Sequence, residues 1–263
     1  MTAQIAKRVG SGPSKVMVLH GWFGPSVFDG FFDGFDLSRY EFAIVHNPGY
    51  SAAGEEAPAR DMTDLAQQLL ALADSAGWDR FGIIGHSYGG AAALRIASLA
   101  PDRVEWLAGL APVMPTGFDA VAARNTGAGA NTGPAFMAAF AKGKIAPDGP
   151  RMIAAALDPV LAADGQAMTT LMDDLYASIN EETYRQYFLV WTGCDFQDAV
   201  VGLPTRSLFL LGKADPFCAP NYVAHTVAAM KNAEAKLVAG GRFPPPSGGE
   251  GTRPALIAFL ARE

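Results

Sequence analysis

The chain has 263 residues, of which 50% are apolar and 17% charged, and its formal net charge is −6 at pH 7. This length suits one large α/β domain with an insertion, and the apolar fraction is enough for a sizeable core. The mildly acidic balance and the lack of a basic run argue against nucleic acid or an anionic membrane as the main partner.

Other sequence features bound the cellular context. No stretch has the apolar length of a transmembrane helix, and residues 1–12 lack the apolar core of a signal peptide. The two cysteines, Cys194 and Cys218, have no metal-ligand spacing, and we expect no disulfide framework. The sequence therefore predicts a cytoplasmic protein that does not associate with membranes.

Short apolar runs alternate with amphipathic stretches along most of the chain. In the helix predicted at 61–76, Met62, Leu65 and Leu69 recur at helical spacing, and Gly77 follows as a terminating residue. Strands are predicted at 5–9, 16–19, 42–45, 81–84, 104–110, 207–211 and 235–238, and helices at 61–76, 88–100, 222–230 and 252–261. This alternation predicts an α/β fold with a mostly parallel central sheet and helices on both faces.

Between residues 113 and 203 the pattern changes to helices alone. We interpret 113–203 as a helical cap inserted into a core formed by 1–112 and 204–263. Ligands of open α/β sheets bind beyond the carboxyl ends of the strands, so the cap is expected to lie over the site. Helices within it are predicted at 135–141, 152–156, 167–179, 181–190 and 195–200.

The most informative stretch is 85–90, which reads Gly-His-Ser-Tyr-Gly-Gly between a predicted strand and a predicted helix. Strand, tight turn and helix form the setting in which G-x-S-x-G becomes a nucleophile elbow. Gly85 and Gly89 allow the strand and the helix to approach closely around a strained turn. The elbow would expose the Ser87 hydroxyl and leave the Tyr88 N–H without an intrahelical partner, free to point at an anion. The alternative is a glycine-rich turn with an incidental serine.

Four segments together resemble the α/β-hydrolase superfamily, in particular serine-nucleophile esterases and lipases with a helical cap. They are His-Gly-Trp at 20–22, Asn-Pro-Gly-Tyr-Ser at 47–51, the elbow at 85–90, and Leu-Gly-Lys-Ala-Asp at 211–215. The resemblance covers nearly the whole chain. It implies a hydrolase that acts on an ester by acyl transfer through the serine, and the many aromatic and methionine residues of the helical region 113–203 favour a small, largely apolar substrate. Neither H-E-x-x-H nor G-x-x-x-x-G-K-[ST] is present, so we expect a small-molecule substrate and no metal or other cofactor.

The resemblance also assigns roles to individual residues. Ser87 would be the nucleophile and Asp215 the acid that orients the base, although Asp before Pro is also typical of a helix N-cap. The N–H groups of Tyr88 and Trp22 would stabilise the oxyanion, with Phe23 as the alternative second donor. His20 belongs to the same oxyanion segment, where the family's histidine supports the loop.

The expected catalytic histidine is missing. The family carries it in a G-x-G-H-x-P-like loop after the last strand, but residues 239–245 read Ala-Gly-Gly-Arg-Phe-Pro-Pro. Arg242 therefore occupies the histidine position, and a guanidinium that stays protonated cannot accept the serine proton. We expect Arg242 to lie near Ser87 and to pair with Asp215.

The remaining histidines do not supply an obvious base. His86 should point away from the site, His46 should lie two strands from the elbow strand, and His225 falls on a predicted helix. Two alternatives to a serine hydrolase therefore stay open. One is a catalytically degenerate relative that binds a small molecule, and the other is a lyase that uses the same pocket and oxyanion donors.

Overall fold

A seven-stranded sheet forms the centre of the protein, with strands in the order β1-β3-β2-β4-β5-β6-β7. The structure is a computed structural model that describes residues 3–50, 57–117, 149–216, 220–243 and 249–262. The edge strand β1 runs antiparallel to β3, and every other neighbouring pair in this sheet is parallel. The predicted fold class is therefore confirmed. The strands are β1 (Gln4–Val9), β2 (Ser14–Leu19), β3 (Tyr40–His46), β4 (Phe81–His86), β5 (Val104–Leu110), β6 (Arg206–Gly212) and β7 (Ala233–Val238).

The described helices lie between the strands and after the last one. They are α1 (Met62–Ser75), α2 (Tyr88–Leu99), α3 (Gly149–Leu157), α4 (Pro159–Ala162), α5 (Gly165–Ser178), α6 (Glu181–Thr192), α7 (Pro220–Ala229) and α8 (Gly249–Leu260). Two short 3-10 helices cover Pro25–Phe28 and Gln197–Val200. None of the helices in the described ranges is long and apolar enough to cross a membrane.

The burial of each strand follows from its place in the sheet. Residues 16–19 on β2 are completely buried, as expected for a strand with parallel neighbours on both sides and helices above the sheet. The two edge strands, β1 and β7, instead carry partly exposed side chains. Uniformly apolar runs therefore predict the central strands well. All the predicted strands are present: β5 has the predicted bounds, and the other six are longer by one to three residues.

Helix α1 shows how the local sequence sets an element's limits. The Asp61 carboxylate accepts hydrogen bonds from the N–H groups of Thr63 and Asp64, both at 2.8 Å, and so caps the helix start. Leu65 and Leu69 are completely buried, as their helical spacing predicts. Gly77 follows the helix with φ of 69°, a conformation that favours glycine.

Between β5 and β6 the described residues form helices joined by loops, and the only β pairing among them is an isolated bridge between Thr116 and Asp195. The predicted helices at 152–156, 167–179 and 181–190 correspond to α3, α5 and α6. The helix predicted at 195–200 is only the short 3-10 helix at 197–200, and α4 was not predicted. The helix predicted at 135–141 lies outside the described residues. The division into core and cap remains a prediction.

Helix α6 packs against the loops that leave the carboxyl ends of β2 and β3. The indole N–H of Trp22 donates to the Tyr184 carbonyl at 2.7 Å, and the two rings stack with centroids 4.3 Å apart. The Tyr187 hydroxyl donates to the Pro48 carbonyl at 2.9 Å. Buried Trp and Tyr side chains normally find such partners, and here these bonds join the insertion to the edge of the sheet.

Candidate active site

Ser87 lies at a strained turn between β4 and α2. Its φ is 54° and its ψ is −124°, a left-handed conformation that costs a non-glycine residue about 1–3 kcal/mol. A Cβ on Gly85 would lie 2.2 Å from the Gly89 carbonyl oxygen, and a Cβ on Gly89 would lie 2.5 Å from the Leu19 carbonyl oxygen. Only glycine fits at both places, so the sequence pattern and the backbone of the turn agree.

The loop after β2 passes directly beside Ser87. A Cβ on Gly21 would lie 2.7 Å from the Cβ of Ser87. The Tyr50 hydroxyl donates to the Trp22 carbonyl at 2.8 Å and holds the next peptide of this loop. Tyr88 begins α2, so its N–H has no acceptor within the helix. We predicted that the N–H groups of Tyr88 and Trp22 converge on one oxygen. The proximity of the Gly21 loop to Ser87 supports that prediction, which remains untested.

The side chains of Trp22 and Phe23 belong to the buried aromatic core. They are 3% and 2% exposed, respectively. Trp22 stacks on Tyr184, and the Phe23 ring lies edge-on to Phe243 with centroids 5.2 Å apart. Any oxyanion role of either residue therefore belongs to its backbone N–H.

His20 connects the loops that follow β2 and β3. It is completely buried, its Nε2 accepts the Asn47 N–H at 3.2 Å, and its Nδ1 therefore carries the proton donated to the Gly21 carbonyl at 2.7 Å. Burial lowers the pKa of His20 to about 3. His20 is thus neutral at pH 7. We predicted it among the oxyanion and substrate-binding residues, and in the structure its connection with the site is through the loop that it supports.

His86 holds the loop that carries Arg242. Because a carbonyl can only accept, the His86 Nε2–H donates to the Arg242 carbonyl, at 3.1 Å. Burial, and then the nearby charge of Arg242, lower the pKa of His86 to about 3. The imidazole is therefore a neutral connector between the elbow and the loop after β7.

The structure brings Ser87, Asp215 and Arg242 together. Arg242 Nη1 donates to Asp215 Oδ2 at 3.0 Å, and Arg242 Nη2 donates to Ser87 Oγ at 3.0 Å. The arginine side chain is 7% exposed and the aspartate side chain 0%, so the ion pair is buried. The predicted proximity of Arg242 to both residues is thus confirmed.

This arrangement fixes the direction of the hydrogen bond at Ser87. A guanidinium has donors only, so the serine oxygen must accept from Arg242 and its proton must point elsewhere. In a serine–histidine pair the hydroxyl instead donates to the imidazole nitrogen. The group at position 242 therefore holds Ser87 in place but cannot take its proton.

Asp158, at the start of α4, is a buried residue of the site that the sequence did not reveal. Its Oδ1 accepts from the N–H groups of Val160 and Leu161 at 2.9 and 3.0 Å. Its Oδ2 accepts from the N–H groups of Arg242 and Phe243 at 2.6 and 2.8 Å. An Asp before a Pro is typical of a helix cap, and the sequence therefore indicates the bonds of Oδ1. No local pattern indicates the bonds of Oδ2 to a loop 84 residues away.

Other candidate groups lie apart from Ser87. His46 ends β3, which β2 separates from the elbow strand β4. His225 is exposed on α7. Cys194 is buried and burial raises its pKa to about 12, so it is not a thiolate at pH 7. Cys218 lies outside the described residues, and within those residues no group of three His, Cys, Asp or Glu side chains could hold a metal ion.

Comparison with known proteins places this chain in a family. The family model described as alpha/beta hydrolase fold matches residues 15–245. The chain belongs to the α/β hydrolase fold family. A solved hydrolase from Oleispira antarctica superimposes with a TM-score of 0.77 at 16% identity, covering 98% of this chain and 94% of that one.

Two curated proteins match part of this α/β-hydrolase chain. A dihydrolipoyllysine-residue acetyltransferase component of the acetoin cleaving system from Pseudomonas putida is 32% identical over 96 residues, 36% of this chain and 26% of that protein. A pimeloyl-[acyl-carrier protein] methyl ester esterase from Nitrosomonas europaea is 36% identical over 99 residues, 37% of this chain and 36% of that protein. The matches therefore span about a quarter and about a third of the lengths of these relatives.

Proposed function

We propose that this α/β-hydrolase binds a small, largely apolar ester at Ser87 and transfers its acyl group through that serine at a low rate. The observation that carries the proposal is the strained elbow of Ser87 beside the Gly21 loop, with Arg242 on the serine oxygen at 3.0 Å. Similarity to a methyl ester esterase supports an ester as the substrate class.

The low rate follows from the chemistry at position 242. Attack on an ester carbonyl requires the serine proton to leave, and neither the guanidinium nor the buried Asp215 paired with it offers a free base to Ser87. The proton must go to solvent, while the cation beside the oxygen favours the alkoxide. Oxyanion donors and binding alone leave roughly a thousandfold acceleration over water in a related serine hydrolase.

A binding protein that does not turn over its ligand is the second candidate. The buried ion pair favours it, because Arg242 and Asp215 neutralise each other and Ser87 already accepts a hydrogen bond. Such a site keeps the shape and the donors of an esterase and lacks the base. The two candidates differ in one measurable property, the dependence of ester hydrolysis on Ser87.

The decisive experiment restores the base. We expect Arg242→His to raise kcat/KM for short-chain p-nitrophenyl esters at least about a hundredfold, the usual contribution of a positioned general base. The gain should follow the ionisation of the new histidine, since the neighbouring His20 and His86 are neutral in that range. Adding Ser87→Ala to Arg242→His should abolish the gain.

Arg242→Gln serves as the matched control, because it removes the cation without adding a base. Slow hydrolysis by the parent that Ser87→Ala abolishes supports the esterase proposal. Ester binding without Ser87-dependent hydrolysis, in the parent and in Arg242→His alike, would establish the binding protein instead. Parent-level hydrolysis that survives Ser87→Ala would contradict the assignment of Ser87.

A further inference from the structure

We infer that Asp158 is a positioning residue of the Ser87 site, and that it sets where side chain 242 lies relative to Asp215 and Ser87. Asp158 comes from the segment between β5 and β6, whereas Arg242 follows β7. The inference rests on the site assignment made above, since it concerns the residue that would carry the base. It does not depend on whether the protein turns over an ester.

The first step concerns what the Asp158 carboxylate binds. It is completely buried, and its two oxygens accept hydrogen bonds from different parts of the chain. Oδ1 alone accepts both N–H groups that a helix cap offers, those of Val160 and Leu161. Oδ2 is not needed for capping, and it accepts the N–H groups of Arg242 and Phe243.

The second step concerns the peptide groups of the loop. The Arg242 N–H is bound by Asp158 at 2.6 Å, and the Arg242 carbonyl is bound by His86 at 3.1 Å. A residue whose N–H and carbonyl are both held has a fixed backbone, so the direction of its Cα–Cβ bond is fixed as well. That direction leads to Asp215 and Ser87, each 3.0 Å from the guanidinium.

The third step concerns the fit around Gly241. A Cβ at this position would lie 2.2 Å from Asp158 Oδ1 and 2.5 Å from Oδ2. The loop backbone thus lies directly against the carboxylate, and the glycine allows the approach. A methyl group at 241 would push the loop and the carboxylate apart without changing any charge.

The experiment reads the location of side chain 242 from an imidazole placed there. In the Arg242→His background, the new histidine is titrated by NMR. Beside the Asp215 carboxylate its pKa should lie about one unit or more above the ordinary 6.5. Adding Asp158→Asn keeps the side-chain volume but sets an NH₂ group against N–H donors, so we expect the pKa to return at least halfway to 6.5.

Three further variants separate an effect of position from an effect of charge and from general damage to the fold. Gly241→Ala should lower the same pKa in the same direction, although it alters no charge. Asp164→Asn is the matched control for Asp158→Asn, because Asp164 also caps a helix of the insertion, accepting the Ala167 N–H at 3.0 Å. Gly165→Ala is the control for Gly241→Ala, since a Cβ there meets nothing within 4 Å. Both controls should leave the pKa unchanged.

The outcomes decide the inference in each case. The inference is wrong if the pKa of the histidine at 242 stays within about 0.2 units of the background value in both Asp158→Asn and Gly241→Ala. A fall with Asp158→Asn alone also overturns it, because the effect would then come from the lost charge. A low pKa of His20 in each variant reports that the fold is intact. If Asp158→Asn does not fold, Gly241→Ala alone tests whether the Asp158 contact positions side chain 242.

Ester hydrolysis is recorded in the same variants. With a functioning site, Asp158→Asn in the Arg242→His background should lower kcat with little change in KM, and its pH profile should follow the NMR titration. If no variant hydrolyses an ester, the proposed function fails, while the titration still decides the role of Asp158.

Discussion

At the scale of single residues, position 242 determines what Ser87 can do. The elbow, the Gly21 loop and the buried Asp215 form the surroundings of a serine nucleophile, and the guanidinium then reverses the direction of the hydrogen bond at Oγ. Neighbouring residues secure that arrangement, since His86 and Asp158 bind both sides of the Arg242 peptide. The site is therefore well ordered although it contains no base at position 242.

The spacing between Gly21 and Ser87 gives a prediction at this scale. A methyl group at 21 would lie 2.7 Å from the Ser87 Cβ and 3.1 Å from His86 Nδ1, so Gly21→Ala must shift the loop that carries the Trp22 N–H. In the Arg242→His background we expect kcat to fall about a hundredfold, the cost of a lost oxyanion donor. Gly165→Ala should have no effect on kcat. An unchanged kcat in Gly21→Ala would argue against this loop as an oxyanion loop.

At the scale of elements, α6 holds the loops at the carboxyl edge of the sheet. The Tyr187 hydroxyl is buried and donates to the Pro48 carbonyl at 2.9 Å. Tyr187→Phe keeps the ring and leaves that carbonyl without this donor, so we expect a loss of about 1–2 kcal/mol in the free energy of unfolding, measured in urea. Tyr176→Phe on α5 is the control, since Tyr176 is 51% exposed and its change should stay within about 0.5 kcal/mol. Equal effects would contradict a specific role for the Tyr187 hydroxyl.

The elements also show which parts of the fold and of the site are predictable from the sequence. Strands and the elbow are predictable because burial and sterics act locally, as the apolar run at 16–19 and the glycines at 85 and 89 illustrate. The approach of Arg242 to Ser87 was predictable from the resemblance of the loop at 239–245. The contact from Asp158 was not, because it depends on how the insertion folds back against the loop after β7, which no local pattern encodes. Its Asp-Pro pair indicates only the helix cap.

At the scale of the whole molecule, two buried histidines couple stability to pH. His20 and His86 have pKa values lowered to about 3, against an ordinary 6.5. The unfolded chain therefore binds more protons than the folded one between pH 6.5 and 3, and stability must fall as the pH is lowered through that window. At pH 5 each histidine should remove about 2 kcal/mol, so the pair should remove about 4 kcal/mol relative to pH 7.5.

Urea unfolding at pH 7.5, 6 and 5 tests this, above the range in which most carboxylates titrate. His86→Gln should reduce the loss between pH 7.5 and 5 by about half. A stability that stays level from pH 7.5 to 5 would show that the histidines are not held neutral. Because the His86 Nε2–H also binds the Arg242 carbonyl, protonating its ring would place a second cation beside the guanidinium. Since the pKa of His86 in the folded protein is about 3, the loop that fixes side chain 242 should loosen only near pH 3, although the fold loses stability from pH 6.5 downward.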